Sequence, residues 1–250
     1  MRFNMNKNIV NIIPFILLAL SLSFTALHAE PIYHETTYPK GKGPHPAVIV
    51  LHTSSGFKTV KRQITKYTNA GYVVYAPDFF RRHGISMRNR FETWTTYKTK
   101  IERELIEIVE LIKKDRLVDS KNIFAVGFSN GGYWASFLAA RKHVNAAASH
   151  YGVWRWPPSA GWNGYPADYF DRGSNAVLAI HGDDDSIQQP EYVYDQLAIV
   201  EDKSPKFKKY IFNNAGHSWD CKPCAKDGYN EGVTKTALRM TLDLFESNKR

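Results

Sequence analysis

The chain has 250 residues, of which 43% are hydrophobic, 14% aromatic and 23% charged, and it contains only two cysteines. This composition excludes a disordered, a collagen-like or a disulfide-stapled chain, and the length fits one large α/β domain or two small ones. The net charge of +9 comes from scattered basic residues, and the densest cluster lies in a turn before an apolar strand pattern, at Lys203, Lys206, Lys208 and Lys209. We interpret this charge as a solvated face and expect no nucleic-acid partner.

The first 29 residues have the order of a secretory signal peptide. Arg2 and Lys7 precede an uncharged stretch over residues 8–29 with a strongly apolar centre, and small residues follow it. Cleavage after Ala29 would give a periplasmic or secreted protein, with residues 30–250 as a single domain. If this segment stays uncleaved, we expect it to be the protein's only contact with a membrane, because no later apolar run approaches the roughly 18 residues that span a bilayer.

Strand-like and helical patterns alternate along the rest of the chain. Apolar runs predict strands over residues 47–52, 72–76, 122–128, 145–151, 176–181 and 207–212. Apolar residues at helical spacing predict helices over about 59–69, 92–116, 131–141, 190–200 and 231–247. Parallel strands joined by helices make right-handed crossovers, so the sequence predicts an α/β fold with a mostly parallel, twisted sheet and helices on both faces.

A G-x-S-x-G pattern occupies residues 127–131, where the predicted strand 122–128 meets the next predicted helix. A strand, a tight turn and a helix make up the nucleophile elbow of α/β-hydrolases, in which the glycines permit a strained backbone and close packing. We therefore predict Ser129 as a nucleophile. The alternative is a glycine-rich turn that contains an ordinary serine.

A serine hydroxyl needs a general base to attack, and the base needs a carboxylate to orient it. His217 follows the predicted strand 207–212 and is the predicted base; the alternative is a surface loop histidine. Three aspartates follow the predicted strand 176–181, and both Asp185 and Asp183 are candidates for the acid. All of these residues lie past the carboxyl ends of strands, where open α/β sheets bind their ligands.

Acyl transfer also needs two N–H donors for the oxyanion that forms on the substrate. We predict the backbone N–H of Asn130, directly after the nucleophile, as one donor. The N–H of Ser54, in the loop after the first predicted strand, is the other, with Thr53 as the second choice. His52 either lines the site or has a structural role.

The chain after residue 30 resembles the dienelactone hydrolase family of α/β-hydrolases over essentially its whole length. Four segments carry the similarity: 45–52 (HPAVIVLH), 70–78 (AGYVVYAPD), 126–132 (VGFSNGG) and 145–152 (NAAASHYG). It continues in order through residues 180–185, 215–219 and 237–245. The resemblance implies an α/β-hydrolase fold and an ester hydrolase, and it favours Asp185 as the acid, because the family's acid stands third after the glycine. We expect no cofactor and no metal.

The departures from the family bear on the substrate. The name-giving enzymes have cysteine where this chain has Ser129 and an acidic residue where it has Thr53. They also bind a substrate carboxylate with two arginines, of which Arg82 matches the first, while Cys221 stands at the second position. The resemblance therefore implies a general ester hydrolase with a serine nucleophile, and it leaves Arg82 as either a substrate clamp or a surface charge.

The segment between residues 151 and 175 is too long and too aromatic for a simple connection. One hypothesis is that it walls a substrate pocket; the alternative is that its aromatic rings pack the loop onto the domain. The residues of this hypothesis are Trp154, Trp156, Trp162 and Tyr165.

The two cysteines form a C-x-x-C pattern at Cys221 and Cys224, just after the predicted base. We predict a local disulfide that stiffens the His217 loop. Redox catalysis is the alternative, although redox motifs of this kind open a helix after an early strand. A zinc site would need further ligands that the spacing does not supply.

The features together predict an exported serine esterase that acts on a small-molecule ester through an acyl-enzyme, as a monomer or dimer. A peptidase or a thioesterase could use the same triad. Two further functions fit parts of the sequence: a binding protein that has lost catalysis, and a redox protein built on the two cysteines.

Overall fold

The computed structural model describes residues 32–155, 164–223 and 228–250, and the predicted signal peptide lies outside these ranges. Seven strands form one sheet: β1 His34–Thr37, β2 His45–Leu51, β3 Val73–Pro77, β4 Val118–Phe128, β5 Ala146–His150, β6 Ala176–Gly182 and β7 Phe207–Phe212. The α-helices are α1 Lys61–Asn69, α2 Lys98–Lys113, α3 Asn130–Ala140, α4 Pro190–Lys203 and α5 Glu231–Glu246.

The strand order across the sheet is β1-β3-β2-β4-β5-β6-β7. Strands β2 to β7 pair in parallel, and only β1 is antiparallel, where it pairs with β3. The predicted α/β fold with a mostly parallel sheet is thereby confirmed. Because the strands are parallel, the loops that follow β2, β4, β6 and β7 all leave from the same edge of the sheet.

Successive side chains of each strand pack on opposite faces of the sheet, as the two-residue period of a strand requires. In β2, Ile49 belongs to the core beneath helices α2, α3 and α4, whereas Val48 and Val50 belong to the core beneath α1 and α5. Helices therefore cover both faces, which explains why the inner strands are apolar throughout.

Two elements show the largest differences from the sequence prediction. The strand β1 was not predicted, because His34–Thr37 is a short, half-buried edge strand without an apolar pattern. The helix predicted over 92–116 begins only at Lys98, since Arg90–Thr93 forms a 3₁₀ turn and the chain reaches α2 through a loop that buries Trp94. Within the described ranges, no helix is both long and apolar enough to cross a membrane.

Candidate active site

The turn between β4 and α3 holds Ser129 in a strained conformation, with φ 52° and ψ −112°. The flanking glycines make this turn possible because their neighbours lie too close for any side chain. A Cβ on Gly127 would lie 1.9 Å from the carbonyl oxygen of Gly131, and a Cβ on Gly131 would lie 2.2 Å from that of Leu51. The strand, turn and helix predicted from the G-x-S-x-G pattern are therefore present.

The structure brings Ser129, His217 and Asp185 together in one chain of hydrogen bonds. The Nε2 atom of His217 lies 3.0 Å from Ser129 Oγ, and its Nδ1 atom lies 2.8 Å from Asp185 Oδ2. A carboxylate only accepts, so Nδ1–H donates to Asp185 and Nε2 is left to accept the serine proton. All three side chains are at least nine-tenths buried. The predicted nucleophile, base and acid thus stand in the order that acyl transfer requires.

The geometry distinguishes between the two candidate aspartates, Asp183 and Asp185. Asp183 is exposed, and its Oδ1 accepts the N–H of Asn214 at 2.7 Å. Asp185 is buried, and its Oδ1 accepts the N–H groups of Ile187 and Gln188 at 2.9 and 2.8 Å. Asp185 is therefore the carboxylate that reaches the imidazole, with its other oxygen held by the following loop.

A second histidine, which sequence reasoning missed, lies beside this carboxylate. His181 is fully buried at the end of β6, donates Nε2–H to the carbonyl oxygen of Gln188 at 2.9 Å, and lies 3.4 Å from Asp185 Oδ2. Burial lowers the pKa of His181. Burial alone would raise the pKa of Asp185, but its hydrogen bond to His217, the two nearby histidines and the N–H of Gln188 hold that pKa below its usual value. The group therefore remains a carboxylate beside His217.

The loop after β2 leaves the N–H group of Ser54 free to act as a donor. The N–H of Thr53 donates to Thr59 Oγ1, that of Ser55 to Thr53 Oγ1 and that of Gly56 to the Thr53 carbonyl, at 3.3, 3.1 and 3.0 Å. Among the residues that the structure describes, the N–H of Ser54 has no acceptor. The predicted first choice in this loop is thus available as a donor.

Asn130 is the first residue of α3, so its N–H has no partner inside the helix. Its side-chain amide donates to Ser54 Oγ at 3.4 Å, so the two residues predicted to supply the oxyanion donors are neighbours. The helix N-terminus behind Ser129 adds a favourable field for negative charge. This arrangement can stabilise an oxyanion formed next to Ser129.

A cavity of about 250 Å³ opens beside Ser129. Its polar side consists of Thr53, Ser54, Ser55, Ser129, His217 and Ser218. The remaining wall consists of Met87, Arg90, Trp94, Val153 and Ile187. Sequence reasoning missed Met87, Arg90 and Trp94 in this wall. These residues lie on the loop 78–97, which reaches the cavity through tertiary packing, and the last residues of this loop fit a helical pattern.

The predicted pocket residues need correction. Trp154 is buried against Phe170 and Phe207 and does not line the cavity, because Val153 takes that place. Tyr165 also lies away from the cavity, where its N–H donates to Asp168 at 2.8 Å. Trp156 and Trp162 lie outside the described residues. For Trp154 and Tyr165, packing of the loop onto the domain is the interpretation that fits.

Of the two interpretations left open for Arg82, a substrate clamp and a surface charge, the structure does not support the clamp. Its guanidinium donates to the buried carboxylate of Glu104 at 2.8 Å, and His83 lies 3.1 Å from the other oxygen of the same group. Arg82 therefore balances a buried charge and does not line the cavity. The arginine at the cavity is Arg90, whose guanidinium donates to the Met87 carbonyl at 2.8 Å.

The two cysteines differ in what the structure describes of them. Cys221 is buried after the histidine loop, whereas Cys224 lies outside the described residues, so the disulfide stays a prediction. In the described ranges, no group of three or more His, Cys, Asp or Glu residues is arranged to hold a metal ion.

A buried carboxylate supports the histidine loop from below. Asp220 accepts the hydroxyl of Tyr151 at 2.7 Å and the side-chain amide of Gln63. The ring of Tyr151 packs edge to face with His217, with 4.8 Å between the centroids. Burial raises the pKa of Asp220, although the hydrogen bond from Tyr151 and the charge of Lys66 oppose that rise. Ionisation of Asp220 therefore lowers the stability of the folded state.

We expect Asp220→Asn to gain stability relative to wild type as pH rises. Because the folded-state pKa of Asp220 is raised, its stabilising contribution is fully present below the unfolded pKa and is lost as pH rises through the folded pKa. Asparagine keeps an acceptor for Tyr151 and does not titrate. The melting temperature of the variant minus that of wild type should increase between about pH 4 and about pH 8. Asp202→Asn, on an exposed position of α4, is the control, and a difference that shrinks with rising pH would contradict the prediction.

Comparison with known proteins identifies a family whose model matches most of the chain. The model of the dienelactone hydrolase family matches residues 34–248. A curated Aquifex aeolicus (strain VF5) protein that carries the name carboxymethylenebutenolidase is 30% identical over 129 residues, which are 46% of this chain and 54% of that protein. The match thus spans about half the length of that relative.

Two crystal structures show the same fold. One, from Klebsiella pneumoniae subsp. pneumoniae MGH 78578, is described as a dienelactone hydrolase; it has a TM-score of 0.73 at 20% identity and covers 85% of this chain and 92% of its own. The other is a dienelactone hydrolase-like promiscuous phosphotriesterase from metagenomic libraries, with a TM-score of 0.68 at 20% identity, covering 87% and 92%. At this identity the two structures support the fold alone.

Proposed function

The chain belongs to the dienelactone hydrolase family, and we propose that it is a serine hydrolase that cleaves carboxylic esters of small molecules. The observation that carries this proposal is the continuous set of hydrogen bonds from Ser129 through His217 to Asp185, beside a cavity large enough for a small ester. The name of the matched family, a family of hydrolases, also supports it.

In the proposed reaction, Ser129 Oγ attacks the ester carbonyl carbon while His217 Nε2 takes the hydroxyl proton. Asp185 stabilises the imidazolium that forms, and the N–H groups of Asn130 and Ser54 stabilise the oxyanion. When the tetrahedral intermediate collapses, His217 gives the proton to the leaving alkoxide oxygen, and the alcohol departs from an acyl-enzyme. Water, deprotonated by His217, then attacks the acyl carbon, and the resulting acid leaves as Ser129 recovers its proton.

The site can also be compared with the alternative functions, which are a peptidase, a thioesterase and a binding protein without catalysis. A peptidase and a thioesterase would use the same three residues, and an ester is the substrate that the family relationship favours. A binding protein that had lost catalysis would have no reason to keep Ser129 strained and hydrogen-bonded to a buried histidine. We also propose export, on the signal-like pattern of residues 1–29 alone.

We expect p-nitrophenyl acetate and butyrate to be better substrates than p-nitrophenyl octanoate and dodecanoate. The cavity of about 250 Å³ is smaller than usual ligand pockets, so kcat/KM should fall about tenfold or more for the long acyl chains. The measurement is steady-state hydrolysis of the series, with matched thioesters and anilides of the same acids to test for thioesterase and peptidase activity. Absence of ester turnover, or a faster anilide, would contradict the proposed function.

A further inference from the structure

A third histidine lies directly beneath the loop that holds Ser54. His52 follows β2 and is fully buried. Its ring stacks on Phe79 with 3.9 Å between centroids and an interplanar angle of 8°, and it meets Phe80 edge to face at 4.7 Å. Packing on two sides therefore fixes the plane of the imidazole, which takes no part in the proton transfers of the proposed reaction.

Both ring nitrogens of His52 face oxygen atoms. Nδ1 lies 2.8 Å from the carbonyl oxygen of Thr53, and because a carbonyl only accepts, Nδ1–H is the donor. Nε2 lies 3.5 Å from Asp78 Oδ1. Burial alone would raise the pKa of Asp78, but His52 and the N–H groups of Phe80 and Arg81 lower it, so a carboxylate stands behind the ring. The imidazole is thus held between a carboxylate and the oxyanion loop.

The bond to Thr53 determines the direction of the next N–H group. The carbonyl of Thr53 and the N–H of Ser54 belong to one planar trans peptide, so they point in opposite directions. The Thr53 carbonyl is bound from below by His52 Nδ1–H and is also bound by the N–H of Gly56 at 3.0 Å. The N–H of Ser54 must then point away from His52, on the side where Ser54 lines the cavity.

We infer that His52 is a positioning residue of the oxyanion hole, which turns the Thr53–Ser54 peptide so that the Ser54 N–H faces the carbonyl oxygen of the bound ester. This inference rests on the proposed function. Asp78 assists by holding the opposite side of the ring, because its Oδ1 lies 3.5 Å from Nε2. Since an oxyanion forms only after attack, loss of this alignment should reduce kcat and leave KM nearly unchanged.

Three substitutions at this position separate the donor from the rest of the side chain. Asparagine places its amide nitrogen close to the site of Nδ1 and can still donate to Thr53, whereas glutamine places its amide nearer the site of Nε2. Leucine fills the space and donates nothing. We expect His52→Asn to keep kcat within about threefold of wild type, and His52→Gln and His52→Leu to lose about 10- to 100-fold, less than complete loss of an oxyanion donor.

A second readout reports on the oxyanion hole itself. Sulfur is a weaker acceptor than oxygen, so an intact hole favours an oxoester over the matching thionoester. This preference should shrink in His52→Gln and His52→Leu and persist in His52→Asn. Phe245→Leu, a buried substitution in the core beneath α1 and α5, is the control for lost stability and should keep both kcat and the preference.

The experiment distinguishes failure of the inference about His52 from failure of the proposed function. An active wild type whose His52→Gln variant keeps kcat and the oxoester preference would overturn the inference while leaving the proposed function intact. If the glutamine and leucine variants do not fold, the asparagine variant decides: a tenfold or greater loss of kcat at an unchanged melting temperature would overturn the inference. A wild type without ester turnover would instead contradict the proposed function.

Discussion

Replacing Asp185 by asparagine should lower kcat for ester hydrolysis by about 10³- to 10⁴-fold while KM changes little. Asp185 Oδ2 accepts the Nδ1–H of His217, and its other oxygen is fixed by two backbone N–H groups. An amide nitrogen turned toward Nδ1 would be a donor facing a donor, so the imidazole would take the other tautomer and lose its ability to accept the Ser129 proton.

Asp183→Asn is the matched control, because it removes a carboxylate two residues away in the same loop. Asp183 is exposed and bonds to the N–H of Asn214, which asparagine can retain through its amide oxygen. Near wild-type kcat is expected for this variant, with melting temperatures recorded for both. Similar losses in the two variants, or a larger loss in Asp183→Asn, would reject the assignment of Asp185 as the acid.

The sheet could be predicted from the sequence because its inner strands are covered by helices on both faces. An example is β6, which the sequence predicts over residues 176–181 and which spans Ala176–Gly182 and is buried throughout. The edge strand β1 has no such signal, since its four residues are polar or half-buried and its pairing with β3 is a tertiary event.

Ser129 and His217 could be named because each follows a strand whose position was clear, whereas the choice of Asp185 over Asp183 rested on the family resemblance. The cavity wall could not be named, because Met87 and Arg90 lie on the connection between β3 and α2, whose path depends on tertiary contacts such as that of Arg82 with Glu104 on α2. The role of Arg82 stayed open for a related reason: its partner, Glu104, is buried by the fold 22 residues further along the chain.

Buried histidines are the least predictable part of the site. His52 and His181 each follow or end an apolar strand, and nothing in their spacing shows which oxygen atoms their rings face. Their contacts to Thr53 and Gln188 follow from local backbone geometry that only the folded chain supplies.

Ser129→Ala should remove nearly all ester turnover, with a loss in kcat of about 10⁶-fold, because no other group can form the acyl-enzyme. The small hydroxyl-to-hydrogen change fits the buried site, so the melting temperature should stay close to that of wild type. Ser55→Ala, which removes another hydroxyl from the same cavity, is the control and should stay active.

The most direct test is the intact mass of the protein after incubation with a fluorophosphonate, which reacts with an activated serine. Wild type and Ser55→Ala should each gain the mass of one phosphonyl group, located at Ser129 by peptide mapping, and Ser129→Ala should gain none. An unlabelled wild type, or equal labelling of Ser129→Ala, would contradict the assignment of Ser129 as the nucleophile of an ester hydrolase.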